Sequence, residues 1–177
     1  IELALNSRIY AYSWYLDSVA DNWDALVLND YEGVMPLPWR SKYFIKYIYP
    51  PAWTQQLGVF SEHKLEASLI KKFINSIPKK FKKITIQFNS GNDVSFLKIT
   101  KRVNYILSLD KDYEEIYKGF KRDRKYRINK ANKNELVIRS CSFDELKTIA
   151  KENYSFLKIT DLNYNRLKLL TDFLKKN

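Results

Sequence analysis

The chain has 177 residues, 45% of them apolar and 15% aromatic, and a formal net charge of +11. That length allows one ample domain or two small ones, and the aromatic content with only 4 Gly and 5 Pro excludes a disordered or collagen-like chain. The single cysteine, Cys141, excludes an internal disulfide, and there is neither a signal-peptide pattern nor an apolar run of roughly eighteen residues, so a cytoplasmic protein with no transmembrane segment is expected.

The chain begins at Ile1 rather than Met, which reads as a trimmed or mature chain. Residues 7–20 place Ile9, Tyr10, Trp14 and Val19 at spacings that predict a helix. Trp23–Leu28 reads as a strand, Asn29–Gly33 as a turn and Val34–Leu37 as the returning strand. Phe44–Tyr49 reads as a further strand, stopped by Pro50 and Pro51. Ser61 is the expected N-cap of a helix over Glu62–Ile77, with Leu65, Leu69, Phe73 and Ile77 on one face and Pro78 as the stop. Alternating Ile84, Ile86 and Phe88 predict a strand over Lys83–Phe88, followed by a turn at Asn89–Asn92 and strands at Phe96–Ile99 and Val103–Leu109.

The pattern changes near residue 110. Asp112-Tyr113-Glu114-Glu115 predicts a capped helix start, and Lys121–Asn134 continues as a basic helix. Leu136–Cys141 reads as a strand, Ser142–Glu145 as a second capping box opening a helix to about Ser155, and residues 163–175 as a last helix. The fold expected is α+β. A first lobe covers 1–110, and a second unit over 111–177 has one strand only, too few for a sheet of its own.

The densest charge lies at Lys118–Lys133, where Lys118, Lys121, Arg122, Arg124, Lys125, Arg127, Lys130 and Lys133 face one acid, Asp123. Tyr117, Phe120, Ile128 and Ala131 sit at helical spacings on one face, and Arg124 falls on that stripe. Either this is a solvated basic face, or it recognises an anion; Arg122, Arg124, Arg127 and Lys130 are the candidate contacts. The run Tyr43–Trp53 interleaves aromatics with lysine, which fits strand packing and, less well, base stacking. His63 and Cys141 form no metal or catalytic spacing. The glycines at 33, 58, 91 and 119 are too far apart for a phosphate-cradling loop, so no cofactor is expected in this chain.

Two stretches together resemble the Fem peptidoglycan-bridge aminoacyltransferases of the GNAT fold group. They are Trp14–Leu28 with the turn and strand up to Pro38, and Arg102–Lys133, where a Leu-x-Leu strand leads into a short helix and then Ile128-Asn129-Lys130-Ala131. The resemblance implies a GNAT-like mixed sheet flanked by helices, with an incomplete second lobe. It implies transfer of an aminoacyl or acyl group to an amine such as a cell-wall peptide precursor, with no complete active site in this chain. It implies an anionic partner, an aminoacyl-tRNA or a phosphorylated cell-wall precursor, and a contact role for Arg124, Arg127 and Lys130. The family's lysine before the Trp matching Trp23 is missing from Val19–Asn22. The alternatives are a basic RNA- or polyanion-binding module without catalysis, or a scaffold lobe whose basic helix binds another protein. The apolar faces over residues 143–174 could pack on the first lobe, pair with another copy or stay exposed; self-association through residues 143–174, or weak protection of that region, is expected.

Overall fold

In a computed structural model of the chain, residues 1–176 are described; Asn177 lies outside the described residues. The order is α1 (Ser13–Val19), β1 (Asn22–Leu28), β2 (Gly33–Lys42), β3 (Ile45–Ile48), β4 (Phe60–Ser61), α2 (Ala67–Asn75), β5 (Phe81–Ile84), α3 (Tyr113–Lys118), α4 (Arg122–Lys133), α5 (Phe143–Asn153) and α6 (Asp161–Lys176), with short 3-10 turns at Ile9–Ala11 and Ser155–Leu157. Two compact units emerge, one made of Ile1–Ile99 with the chain from Ala150 onward, the other of Thr100–Ile149.

The first unit is a mixed five-stranded sheet flanked by helices. β1, β2 and β3 form an antiparallel meander, β5 adds parallel to β3, and β4 pairs with the start of β2. Alternation along β2 sends Met35, Leu37 and Trp39 to one face, where they meet Ile48, Val59, Phe81 and the α2 side chains Ile70 and Phe73. The even positions Pro36 and Pro38 face the other way. Pro38 O accepts from Tyr49 N at 3.1 Å, so these positions turn their backbone groups away from β1. The missing proline N–H groups therefore leave the β1–β2 ladder intact. Beside them β3 has departed and β4 has not begun, and the gap encloses about 10 Å³, hardly room for one water.

A second cluster forms where α1 and α6 pack on each other through Tyr15, Val19 and Leu170, with Leu167 and Trp14 beside them. Trp14 stacks on Phe173 at 5.0 Å and 7° between planes. α6 packs on α1 through one face, while its Leu162, Leu169 and Leu174 are exposed.

Between its bridge to Phe88 and the start of β4, segment 57–59 is held by buried asparagines. Asn92 accepts from Val59 N and donates to Val59 O, both at 2.8 Å, while Asn89 donates to Leu57 O at 2.9 Å. Gly58 has φ +102, a conformation that strongly favours glycine.

Several elements differ from the sequence-based expectation. Ser61 caps no helix: it is paired in β4 and its hydroxyl donates to Glu32 O at 2.7 Å, so α2 starts at Ala67. After Ile84 the chain leaves β3, and Phe88 makes an isolated bridge with Leu57, which shortens the strand expected over Lys83–Phe88. The expected strands at Phe96–Ile99, Val103–Leu109 and Leu136–Cys141 are not formed. Their apolar runs suit strands, but among the described residues no neighbouring strand satisfies their backbone, and a lone strand has no ladder to join. Leu136, Val137 and Ile138 are accordingly exposed, as are Val103, Ile106 and Leu109.

Candidate polyanion-binding surface

The second unit carries the basic helix. α3 ends at Gly119, and the aromatic pair Tyr117–Phe120, 5.9 Å apart, brackets the junction with α4. Tyr117, Phe120, Ile128 and Ala131 are half-buried, so the apolar stripe read from the sequence is the docked side of the helix pair. α4 closes with a six-to-one bond from Leu136 N to Ala131 O and a five-to-two bond from Glu135 N to Asn132 O. Glu135 takes the left-handed conformation, φ 51, that glycine usually supplies at this position.

All four candidate contacts are exposed. At about 100° per residue, Arg122, Lys125, Lys130 and Lys133 fall within an arc of roughly 140°, opposite Ile128 and Ala131. Arg127 lies at the flank and bonds Asp123 at 3.0 Å one turn earlier. Arg124 sits on the stripe by spacing, yet its side chain is in solvent, so it holds no buried anion. Lys125 donates to Lys118 O at 3.0 Å and lies 5.3 Å from the Tyr117 ring centre, which fixes its stem. Among the described residues, Arg122, Arg124, Lys130 and Lys133 form no ion pair. The capping arrangement expected at Asp112 is not made by its side chain, whereas Ser142 does accept from Glu145 N at 3.1 Å and caps α5.

A second polar centre lies in the first unit. Asp21, just past α1, accepts from Tyr49 OH at 2.7 Å and from Arg166 of α6 at 2.5 Å, while Tyr49 OH accepts from Asp21 N at 3.1 Å. Burial pushes the Asp21 carboxyl up, but the hydrogen bonds from Tyr49 and Arg166 and the charge of Arg40 outweigh it and hold the group below the usual carboxylate value. Burial and the bond to Asp21 push the Tyr49 phenol up. Arg40 lies flat on Tyr49, 3.7 Å from the ring centre, and its Nε is buried with no hydrogen-bond partner among the described residues. The neighbours assign this centre a tying role, from the end of α1 through the sheet to α6.

Sequence reasoning missed a second cationic cluster. Arg40, Lys42 and Lys46 lie on the β2–β3 hairpin, and Lys79, Lys80, Lys82 and Lys83 lie at the start of β5. The parallel pairing Lys46↔Phe81 brings these two stretches together. Only that register could have revealed it, because more than thirty residues separate the two runs and neither is dense alone.

Comparison of the chain with protein-family models, with curated proteins and with solved structures gave no match in any of the three. The likeness to the Fem enzymes accordingly stands on Trp14–Pro38 and Arg102–Lys133 alone.

Proposed function

We propose that the chain binds the phosphate backbone of RNA through α4, and that it does so as the N-terminal portion of a Fem-like aminoacyl- or acyltransferase whose RNA is the aminoacyl-tRNA. The observation that carries the binding half is the outer arc of α4, where Arg122, Lys130 and Lys133 stand in solvent, Lys125 is half-buried at the arc's edge, and no carboxylate lies between them. Four cations spaced over three turns match a backbone of repeating phosphates better than a single small anion. The transferase half is supported by the short helix and basic helix that follow the Leu-x-Leu stretch in Arg102–Lys133, although that stretch forms no strand, and by a mixed sheet flanked by helices, the architecture the resemblance implies. No residue is assigned a catalytic role.

The test is fluorescence anisotropy with labelled tRNA at two salt concentrations. Four phosphate contacts give a slope of log K against log salt of roughly −3, so a fourfold rise in salt should weaken binding about 50-fold. Arg122→Glu with Lys130→Glu should remove about half of that slope or more. A slope near zero, or the same slope in the double variant, overturns the role of α4. Equal affinity for tRNA and for a single strand of equal length would retain backbone binding and remove the tRNA-specific part.

A further inference from the structure

The loop joining β2 to β3 has two residues, because Lys42 pairs with Ile45. Both loop residues take positive φ, Tyr43 at 50° and Phe44 at 63°. Such turns select Asn-Gly, since side chains other than glycine's are strained there. This chain instead puts two aromatics at the tip and leaves them in water: Tyr43 is 83% exposed, Phe44 101% and Ile45 52%. Next to this apolar tip stand Lys42 and Lys46 of the hairpin, with Lys79 and Lys80 ahead of the adjoining strand, and Lys82 and Lys83 follow further along it. Neither 40–50 nor 78–84 contains an acid; Asp24 bonds Lys80 at 2.9 Å, and Asp21 lies near Arg40. Lys46 Nζ lies 4.7 Å from the Trp39 ring centre and Lys80 Nζ lies 5.0 Å from that of Phe81, so these two ammonium groups are held against aromatic rings at the base of the tip.

We propose that this hairpin tip is an anchor for an anionic phospholipid bilayer, in which Phe44, Tyr43 and Ile45 enter the headgroup–acyl boundary and the surrounding lysines meet the lipid phosphates. A protruding two-residue tip has no walls with which to wrap a peptide, and the small gap beside Pro36 and Pro38 is too tight for a side chain. Behind the tip, Arg40 covers Tyr49 and lies 5.9 Å from the Tyr47 ring centre, so the open rings of this edge are the two that protrude. A yielding medium accepts a protrusion, and stable attachment to it takes an apolar insertion together with a polybasic rim. Both are present on one edge of the sheet. The inference uses none of the α4 residues.

The test is co-sedimentation of the full chain with phosphatidylcholine vesicles, with and without phosphatidylglycerol. The decisive variant is Tyr43→Asn with Phe44→Gly, which installs the pair this turn prefers, so the hairpin should fold at least as well as before. The wild type is expected to bind vesicles containing phosphatidylglycerol and to lose roughly tenfold or more in affinity in the tip variant, with an unchanged or raised Tm. Lys79→Glu with Lys82→Glu should weaken binding to the anionic vesicles comparably. The inference is overturned if the wild type stays in the supernatant, if the tip variant binds as well as the wild type, or if Arg122→Glu with Lys130→Glu alone abolishes vesicle binding. It is also overturned if the tip variant loses single-stranded RNA or self-association instead of vesicles.

Discussion

Replacing Arg166 by methionine removes the charge that holds α6 to Asp21 while keeping most of the side chain's volume. The Arg166 side chain is 11% exposed and that of Asp21 is 29% exposed. Exposed pairs contribute at most about 1 kcal/mol, and breaking a buried pair costs about 3–5 kcal/mol. This half-buried pair, with Tyr49 still bonded to the carboxylate, should fall between them, at about 2 kcal/mol. With an urea m-value near 2 kcal/mol per M, the midpoint should drop by about 1 M. The slope should not change, because α6 keeps its other attachments: Leu170 is buried, Trp14 stacks on Phe173, and Trp53 Nε1 donates to Asn163 O at 2.8 Å. A double-mutant cycle with Asp21→Asn isolates the pair and should give a coupling of about 1 kcal/mol or more. A midpoint within a few tenths of a molar of the wild type, together with zero coupling, would refute the argument and reduce the pair to a surface contact. A fall in the slope with no change in near-native spectra would mean that α6 was never firmly docked.

The same centre sets an acid limit. The folded Asp21 binds its proton less tightly than the unfolded residue, so its contribution is fully present above the unfolded value of about 3.9 and is lost as pH falls through the lower folded value. Between about pH 5 and pH 3, thermal unfolding of the wild type should therefore lose more stability than that of Asp21→Asn; equal losses would contradict the assigned contacts. Gly58→Ala should be among the costlier single changes. Its Cβ would lie 2.1 Å from Asn92 Oδ1 and 2.8 Å from Phe88 on a backbone of φ +102. Backbone strain with a displaced buried hydrogen bond should cost about 3 kcal/mol, or about 10 °C in Tm by scanning calorimetry, and a loss under about 1 kcal/mol would show that the asparagine network yields.

How much of this was legible depended on whether the decisive partner was near in sequence. The meander was, because alternation in Trp23–Leu28 and Val34–Leu37 and the turn between them are local signals. The basic helix and its half-buried stripe were legible for the same reason. Strand patterns at 103–109 and 136–141 were equally clear, yet a strand is completed only by a neighbour, and none is present among the described residues. The start of α2 was misplaced because Ser61 resembles an N-cap whether or not its hydroxyl is already engaged by Glu32. Nothing local marks Asp21 and Arg166, which are 145 residues apart, as partners. Tyr43-Phe44 does not read as a turn at all, since its residues oppose the conformation they adopt.

The net charge of +11 invites the bland reading of a lysine-rich surface with no preferred partner. The positions of the charges argue otherwise. Lys118–Lys133 holds eight cations and one acid, and the two runs 40–46 and 79–83 hold seven cations and no acid. The rest of the chain carries more acids than bases, so the excess charge resides in two places rather than over the whole surface. One is a helix whose outer arc carries four cations around the exposed Tyr126, suited to a phosphate backbone that stays in water. The other surrounds two exposed aromatics on a strained turn, suited to a phosphate layer with hydrocarbon beneath it. The same charge thus has different consequences in the two places. A tenfold rise in salt should nearly abolish attachment through α4, while the apolar contribution of Phe44 and Tyr43 should keep part of any bilayer attachment, since burial of nonpolar surface is not screened.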